Sequence, residues 1–325
     1  MTDNQKTELL KDFETLDPAD TVECDHLFEK WGAGQTLFGI DRPYERLEMY
    51  RDVLEVIQQA DPEKYKTIHK GTSFFFCGLL LFDLKYFESA IFYFTAALAE
   101  DRRRSGSTSL KDYVSTPAGQ ILSLNQSPKW MRFASVFRDS IKGLLDKYNA
   151  EYGTSHSVED FTQKFIHPML EQEHYAIITS LYSYALDYDE KSKNLRLGGG
   201  SVDSMEPILV SLFKGALIFE TLLKYYYPLN NQGQKIMTLG GFTNNSVFNS
   251  DFPGANLSKP TTTMQDIVDD CTDNSVKTTL EITARVRNTT GHKLVWDNVF
   301  TEPDNYRKLF EQEFFAILTV ITKQW

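Results

Sequence analysis

Near the end of the chain, the run Arg287-Asn288-Thr289-Thr290-Gly291-His292 brings together an arginine, a polar residue and a histidine. An imidazole moves protons at neutral pH, because its ordinary pKa of about 6.5 lies close to working pH. A guanidinium holds a phosphate and steadies the negative charge that builds during phosphoryl transfer. Together they can cleave RNA without metal. The histidine activates the 2′-hydroxyl or protonates the leaving group, and the arginine braces the phosphoryl oxygens.

The elements around this run follow from periodicity. A helix is predicted over about 274–290, with Val276, Leu280 and Ala284 inside it and Asp273 or Asn274 as its cap. Arg287 falls near its end and Gly291 is placed to break it. His292 then lies just past the break, which lets two side chains converge that would diverge in an unbroken helix. A closing helix over 303–323 buries Tyr306, Phe310, Phe314, Ile317 and Ile321. Upstream, Met205, Leu209, Leu212, Ala216, Phe219, Leu223 and Tyr226 keep a 3–4 spacing, which marks a core helix. Glu220 and Lys224 stand one turn apart on it. They are either an ordinary i,i+4 ion pair, or Glu220 orients Arg287 or His292 as a carboxylate orients a catalytic imidazole.

The six-residue run resembles the arginine-polar-x3-histidine signature of the HEPN family, helical bundles many of which are metal-independent ribonucleases acting as dimers. The resemblance covers roughly 155–325. It implies Arg287 and His292 as the catalytic pair, Asn288 as the polar residue after the arginine, and Glu220 as the core-helix residue facing them. It further implies an endoribonuclease leaving a 2′,3′-cyclic phosphate, a homodimer through the C-terminal bundle, RNA as substrate, and a role in bacterial defence or stress response. The competing reading is a non-catalytic dimerisation and protein-interaction module.

Composition bounds these readings. The 325 residues carry a formal net charge of −11, so RNA must enter a local basic cleft and not spread over the whole surface. Three scattered cysteines, Cys24, Cys77 and Cys271, fit a reducing cytoplasm and argue against a disulfide framework or a zinc site. The polar, acidic start is no signal peptide. The apolar run Phe74 to Phe82 is too short to span a bilayer, so no membrane is expected. Gly32-Ala33-Gly34 lacks the following Lys-Ser/Thr of a phosphate cradle. His167, Glu171 and His174 have a metal-ligand spacing, but Pro168 sets a helix start that leaves His167 outside it, and a solvated helix face is the reading adopted. No cofactor or metal is expected.

The remaining chain reads as all-α. Residues 1–40 are weakly patterned, and a helix over 42–60 begins at Asp41 and Pro43. Asp61-Pro62 starts another. From Gly71 to Arg104 the chain resembles a tetratricopeptide unit, with Gly78, Ala90, Phe94 and Ala97 at its small and aromatic positions and Phe87 in place of its usual tyrosine. That implies a helical layer able to take a regulatory protein. Arg102, Arg103 and Arg104 cap the second helix of the pair or contact an RNA backbone. A long loop over 105–128 and a helix over about 128–150 follow. Lys191, Lys193 and Arg196 flank the linker Gly198-Gly199-Gly200-Ser201. Residues 228–262, rich in Gly, Asn, Ser and Pro, read as a long mobile surface loop. The organisation expected is a tetratricopeptide-like domain over 1–153 and a HEPN-like bundle over 154–325, the boundary falling between 150 and 203.

Overall fold

The computed structural model describes residues 1–32, 42–106, 109–125, 127–198, 206–260, 263–291 and 303–325. These residues are all-α: no strand forms among them, and only an isolated bridge pairs Leu229 with Lys235. They form two compact units, Met1–Val136 with Leu170–Tyr175, and Phe137–Met169 with Ala176–Trp325.

The first unit opens with two helices where the sequence shows little pattern, α1 (Asp3–Thr15) and α2 (Thr21–Trp31). They are short and start at strong caps. Thr2 and Gln5 form a capping box, and Asp20 accepts from Val22 and Glu23. Leu9, Phe13, Cys24, Leu27 and Phe28 are their buried contribution to a core shared with Val53, Leu54 and Ile57 of α3 (Pro43–Ala60). The expected cap Asp41 lies outside the described residues. Arg42 stands at the cap of α3 and gives it no side-chain hydrogen bond. Asp61 caps α4 (Pro62–Thr67) as its position before Pro62 predicts.

Helices α5 (Gly71–Asp83) and α6 (Phe87–Ser105) run antiparallel, since Phe82 meets Phe87 while Phe75 meets Phe94. They pack closely at Gly78, where a Cβ would lie 2.6 Å from the Phe94 ring and 3.2 Å from the Ala90 carbonyl. The basic run ending α6 is engaged within this unit. Arg102 bonds Glu173 and the Tyr175 hydroxyl, Arg103 bonds Glu100 and the Ile68 carbonyl, and Arg104 reaches the Pro18 carbonyl.

The segment 105–128 departs from the expected loop. It holds α7 (Leu110–Tyr113) and α8 (Pro117–Leu122). Thr116 caps α8 by accepting from Gly119, Pro117 occupies the first turn, and Ala118, Ile121 and Leu122 are buried. The prolines and polar residues there are helix-start signals as well as loop signals.

Between α4 and α5 sits a buried charge cluster. His69 is 6% exposed and places Nε2 3.0 Å from Asp101 and Nδ1 3.6 Å from Asp25. Lys70 donates to the Tyr65 and Ile68 carbonyls and lies 3.4 Å from Glu100. Burial alone would depress the imidazole, but the two carboxylates outweigh it and push its pKa up to about 9. The folded value therefore exceeds the ordinary 6.5. The resulting stabilisation is fully present below pH 6.5 and is lost as pH rises toward 9. Thermal melts should show the wild-type Tm falling over that range by more than the Tm of His69→Gln falls. Parallel falls would contradict the charge cluster.

The second unit takes α9 (Met131–Tyr152) from Phe137 onward, α10 (Val158–Phe161), a π-helical turn over Thr162–Ile166 and α11 (His167–Glu171) up to Met169. Because the π turn runs straight into α11, His167 begins that helix and does not lie outside it. Among the described residues no group of His, Cys, Asp and Glu is arranged to hold a metal ion. From Ala176 the unit contains α12 (Tyr175–Gly198), α13 (Glu206–Tyr226), α14 (Ser246–Asp251), α15 (Met264–Asp270), α16 (Val276–Thr290) and α17 (Pro303–Thr322). The basic flank Lys191, Lys193 and Arg196 is helical, since α12 runs on to include Gly198 of the expected linker, and Lys191 pairs with Asp187 at 3.0 Å. Gly199, Gly200 and Ser201 lie outside the described residues.

Helices α13, α16 and α17 pack against one another. The stripe predicted for α17 is fully buried at Tyr306, Phe310, Phe314, Ile317 and Ile321. Each large side chain there contributes about 1.5–3 kcal/mol by leaving water. Tyr188 of α12 stacks on Phe310 and Tyr184 meets the same ring at a tilt, while Tyr148 and Tyr152 of α9 meet Phe315 edge-on.

Of the expected mobile loop over 228–262, the described residues 228–260 are instead folded. Tyr227, Phe242, Phe248 and Phe252 form one buried aromatic cluster around a 3-10 turn (Leu239–Asn244) and α14. Its asparagines act as fasteners. Asn245 caps α14 by accepting from Phe248 and donates to the Leu229 carbonyl, while Asn231 accepts from Ser246. Asn and Gly richness here reflects tight turns held by side-chain hydrogen bonds.

Candidate functional site

Helix α16 begins at Ser275, whose hydroxyl accepts from Thr278, and not at Asp273 or Asn274. Asp273 supports that cap by accepting from Ser275 and Thr278. The helix ends at Thr290 as periodicity predicts. It carries two arginines two positions apart, which a 3.6-residue repeat sends to different sides. Arg285 is buried and pairs with Asp270. Arg287 is directed at α13.

There the Arg287 Nε donates to Glu220 Oε2 at 2.6 Å. Lys224, one turn along α13, donates to the other oxygen, Glu220 Oε1, also at 2.6 Å. Glu220 thus forms the i,i+4 pair with Lys224 and also bonds Arg287. The Glu220 side chain is 11% exposed and that of Arg287 26%, so the pair sits at the rim of the core, partly shielded from water. Such shielding strengthens an ion pair relative to an exposed one. The guanidinium carbon of Arg287 lies over the Phe213 ring, 5.0 Å from its centroid. Phe213 precedes Glu220 by seven residues, two helical turns, and so shares its side of α13.

Gly291 ends α16 in an ordinary right-handed conformation, φ −66° and ψ −13°, with its N–H bonded to the Arg287 carbonyl. It stops the helix without the left-handed turn that glycine often supplies there. Asn288 is exposed one position past Arg287. His292 lies outside the described residues. Of the four sequence-predicted site residues, Arg287 and Glu220 are therefore together and Asn288 points elsewhere on the helix.

Phe213 was not foreseen from sequence. Its only signal is the two-turn offset from Glu220. Arg287, Lys224 and Glu220 together carry one more positive than negative charge, in a chain of net charge −11. A separate cleft of about 520 Å³, lined by residues that include Lys147, Asn274, Arg307 and Lys308, does not include them. Comparison with protein-family models, curated proteins and solved structures finds no match.

Proposed function

We propose that this chain is a metal-independent endoribonuclease of HEPN type that acts on RNA in the cytoplasm as part of bacterial defence or stress response. The observation that carries the reading is the ion pair joining Arg287 on α16 to Glu220 on α13. A half-buried arginine, fixed by a carboxylate and an aromatic face, is prepared to receive a phosphate with little ordering left to do. His292 takes the proton from the 2′-hydroxyl or delivers one to the departing 5′-oxygen. The 2′-oxygen bonds to phosphorus, the bond from phosphorus to the 5′-oxygen breaks, and a 2′,3′-cyclic phosphate remains. Arg287 offsets the charge gathered on the phosphoryl oxygens, and Asn288 is the polar residue of the signature. The three free cysteines support a reducing compartment. Among the described residues no helix is long and apolar enough to cross a membrane. The test is cleavage of tRNA, rRNA and mRNA in EDTA. Cleavage that proceeds supports the reading, and cleavage that appears only with added metal overturns it.

The reading includes a homodimer through the C-terminal bundle, which brings two such sites to one cleft. Val210 and Leu217 support it: they lie two turns apart on α13 and are 51% and 36% exposed. Light scattering at micromolar concentration should give a dimer, and Leu217→Glu should shift it to monomer. A wild-type monomer with intact cleavage would contradict this part.

A second reading has its own observation. Phe92 and Tyr86, at the outer side and start of α6, are 65% and 60% exposed, which suits a protein-binding layer built on the tetratricopeptide-like pair. In that reading the Glu220 network is a staple between helices and the chain cuts nothing.

A further inference from the structure

The conformation of Gly291 does not require a glycine. Its φ of −66° is open to every L-residue, so its role lies in the space it leaves. A Cβ at this position would stand 2.7 Å from Arg287 Nη1, 3.1 Å from the Arg287 carbonyl oxygen and 3.5 Å from Phe213 Cε2. A non-bonded carbon and nitrogen do not pack as close as 2.7 Å, so something must shift. The guanidinium, as the far end of a flexible side chain, is what would move.

The same group is confined on its other sides. Glu220 holds Nε at 2.6 Å, and the Phe213 ring centroid lies 5.0 Å from the guanidinium carbon. A guanidinium can grip two oxygens through either of two edges: Nε with one terminal nitrogen, or the two terminal nitrogens together. Glu220 occupies the first edge. Among the described residues nothing accepts a hydrogen bond from the second.

We infer that Phe213 and Gly291 are positioning residues for Arg287: the ring packs against the guanidinium, and the missing side chain leaves the space that the group fills. The group is then left with its terminal edge, and that edge recognises a phosphodiester through its two non-bridging oxygens, approached in the plane of the guanidinium. A single point charge would not need this orientation, which separates the arrangement from general attraction of an anion. How Arg287 is held stands on geometry alone; that the held group meets an RNA phosphate rests on the proposed function.

The test uses full-length protein and two independent readouts. The first is the 15N-detected Nε–H signal of Arg287 without RNA, which a hydrogen bond to Glu220 protects from exchange with water. The second is the rate of cleavage of a single-stranded RNA. Gly291→Ala should keep the wild-type melting temperature to within a few degrees, shift the Arg287 Nε–H signal or expose it to exchange, and lower kcat about ten- to a hundredfold with little change in KM. Phe213→Leu should act in the same direction on both readouts. Phe213→Tyr, which keeps the aromatic face, should restore both. An unchanged Arg287 signal and rate in Gly291→Ala would overturn the inference, as would full function in Phe213→Leu. A wild-type chain that cleaves no RNA would remove the proposed function, while the Nε–H signal would still decide whether Phe213 and Gly291 hold the arginine.

Discussion

Replacing either Arg287 or His292 with alanine is expected to lower RNA cleavage by about two to four orders of magnitude while leaving helix content unchanged. Losing a general acid or base costs about 10²–10⁴ in rate, and losing a donor that meets developing charge about 10²–10³. Arg287→Lys should also fail, because lysine keeps the charge but neither the planar fork nor the packing against Phe213. Glu220→Ala separates the two roles of that carboxylate. It frees the Nε that now bonds Glu220 at 2.6 Å, so cleavage should fall by an intermediate amount, with the loss larger than in Lys224→Ala. Equal, small effects in both variants would make the network a helix staple. Circular dichroism and melting temperature distinguish lost chemistry from lost fold, since Arg287 lies at the rim of the core and not among the apolar residues that α16 buries.

The second large effect concerns stability and involves Glu313. This residue of α17 is fully buried, accepts from the Tyr184 hydroxyl at Oε2, and has no hydrogen-bond partner at Oε1. Gly215 of α13 faces it, where a Cβ would collide with both Tyr184 and Glu313. Desolvation outweighs the hydroxyl and raises the carboxyl well above its ordinary 4.5, so the folded chain holds this proton more tightly than the unfolded chain does. A raised folded pKa means that stability is fully present below the unfolded value and declines as pH rises. Glu313→Gln has no proton to lose. As pH rises from 5 to 7.5 its stability relative to wild type should therefore improve, whatever the offset between them. Urea unfolding at the two pH values measures this. A difference that stays constant would show Glu313 to be ionised in the folded chain.

Much of the frame was legible because it depends on periodicity. The stripes from Leu209 to Leu223 and from Tyr306 to Ile321 repeat at helical spacing for several turns, and α13 and α17 follow them closely. Glu313 was not legible. It falls between Phe310 and Phe314 on a helix with many charged residues, and only packing against Tyr184 and Gly215 reveals that it faces inward. The segment 228–262 misleads for a related reason. Asn231 and Asn245 have the composition of a loop but act as caps and clamps, an outcome that depends on partners fifteen or sixteen residues away. At the site, the Glu220–Lys224 spacing and the Arg287 position could be read directly, whereas the meeting of Glu220 with Arg287 depends on how α13 and α16 pack. Gly291 was read as a helix breaker from its type alone. Its contact with the Arg287 side chain exists only in three dimensions.

The most direct measurement of the central claim is the chemistry of the product end. Full-length protein is incubated with a 5′-labelled single-stranded RNA in EDTA, beside the Arg287→Ala, His292→Ala double variant at equal concentration. Fragments ending in a 2′,3′-cyclic phosphate are expected from the wild type and none above background from the double variant. Wild-type products ending in a 3′-hydroxyl, activity that vanishes with EDTA, or full cleavage by the double variant would contradict it.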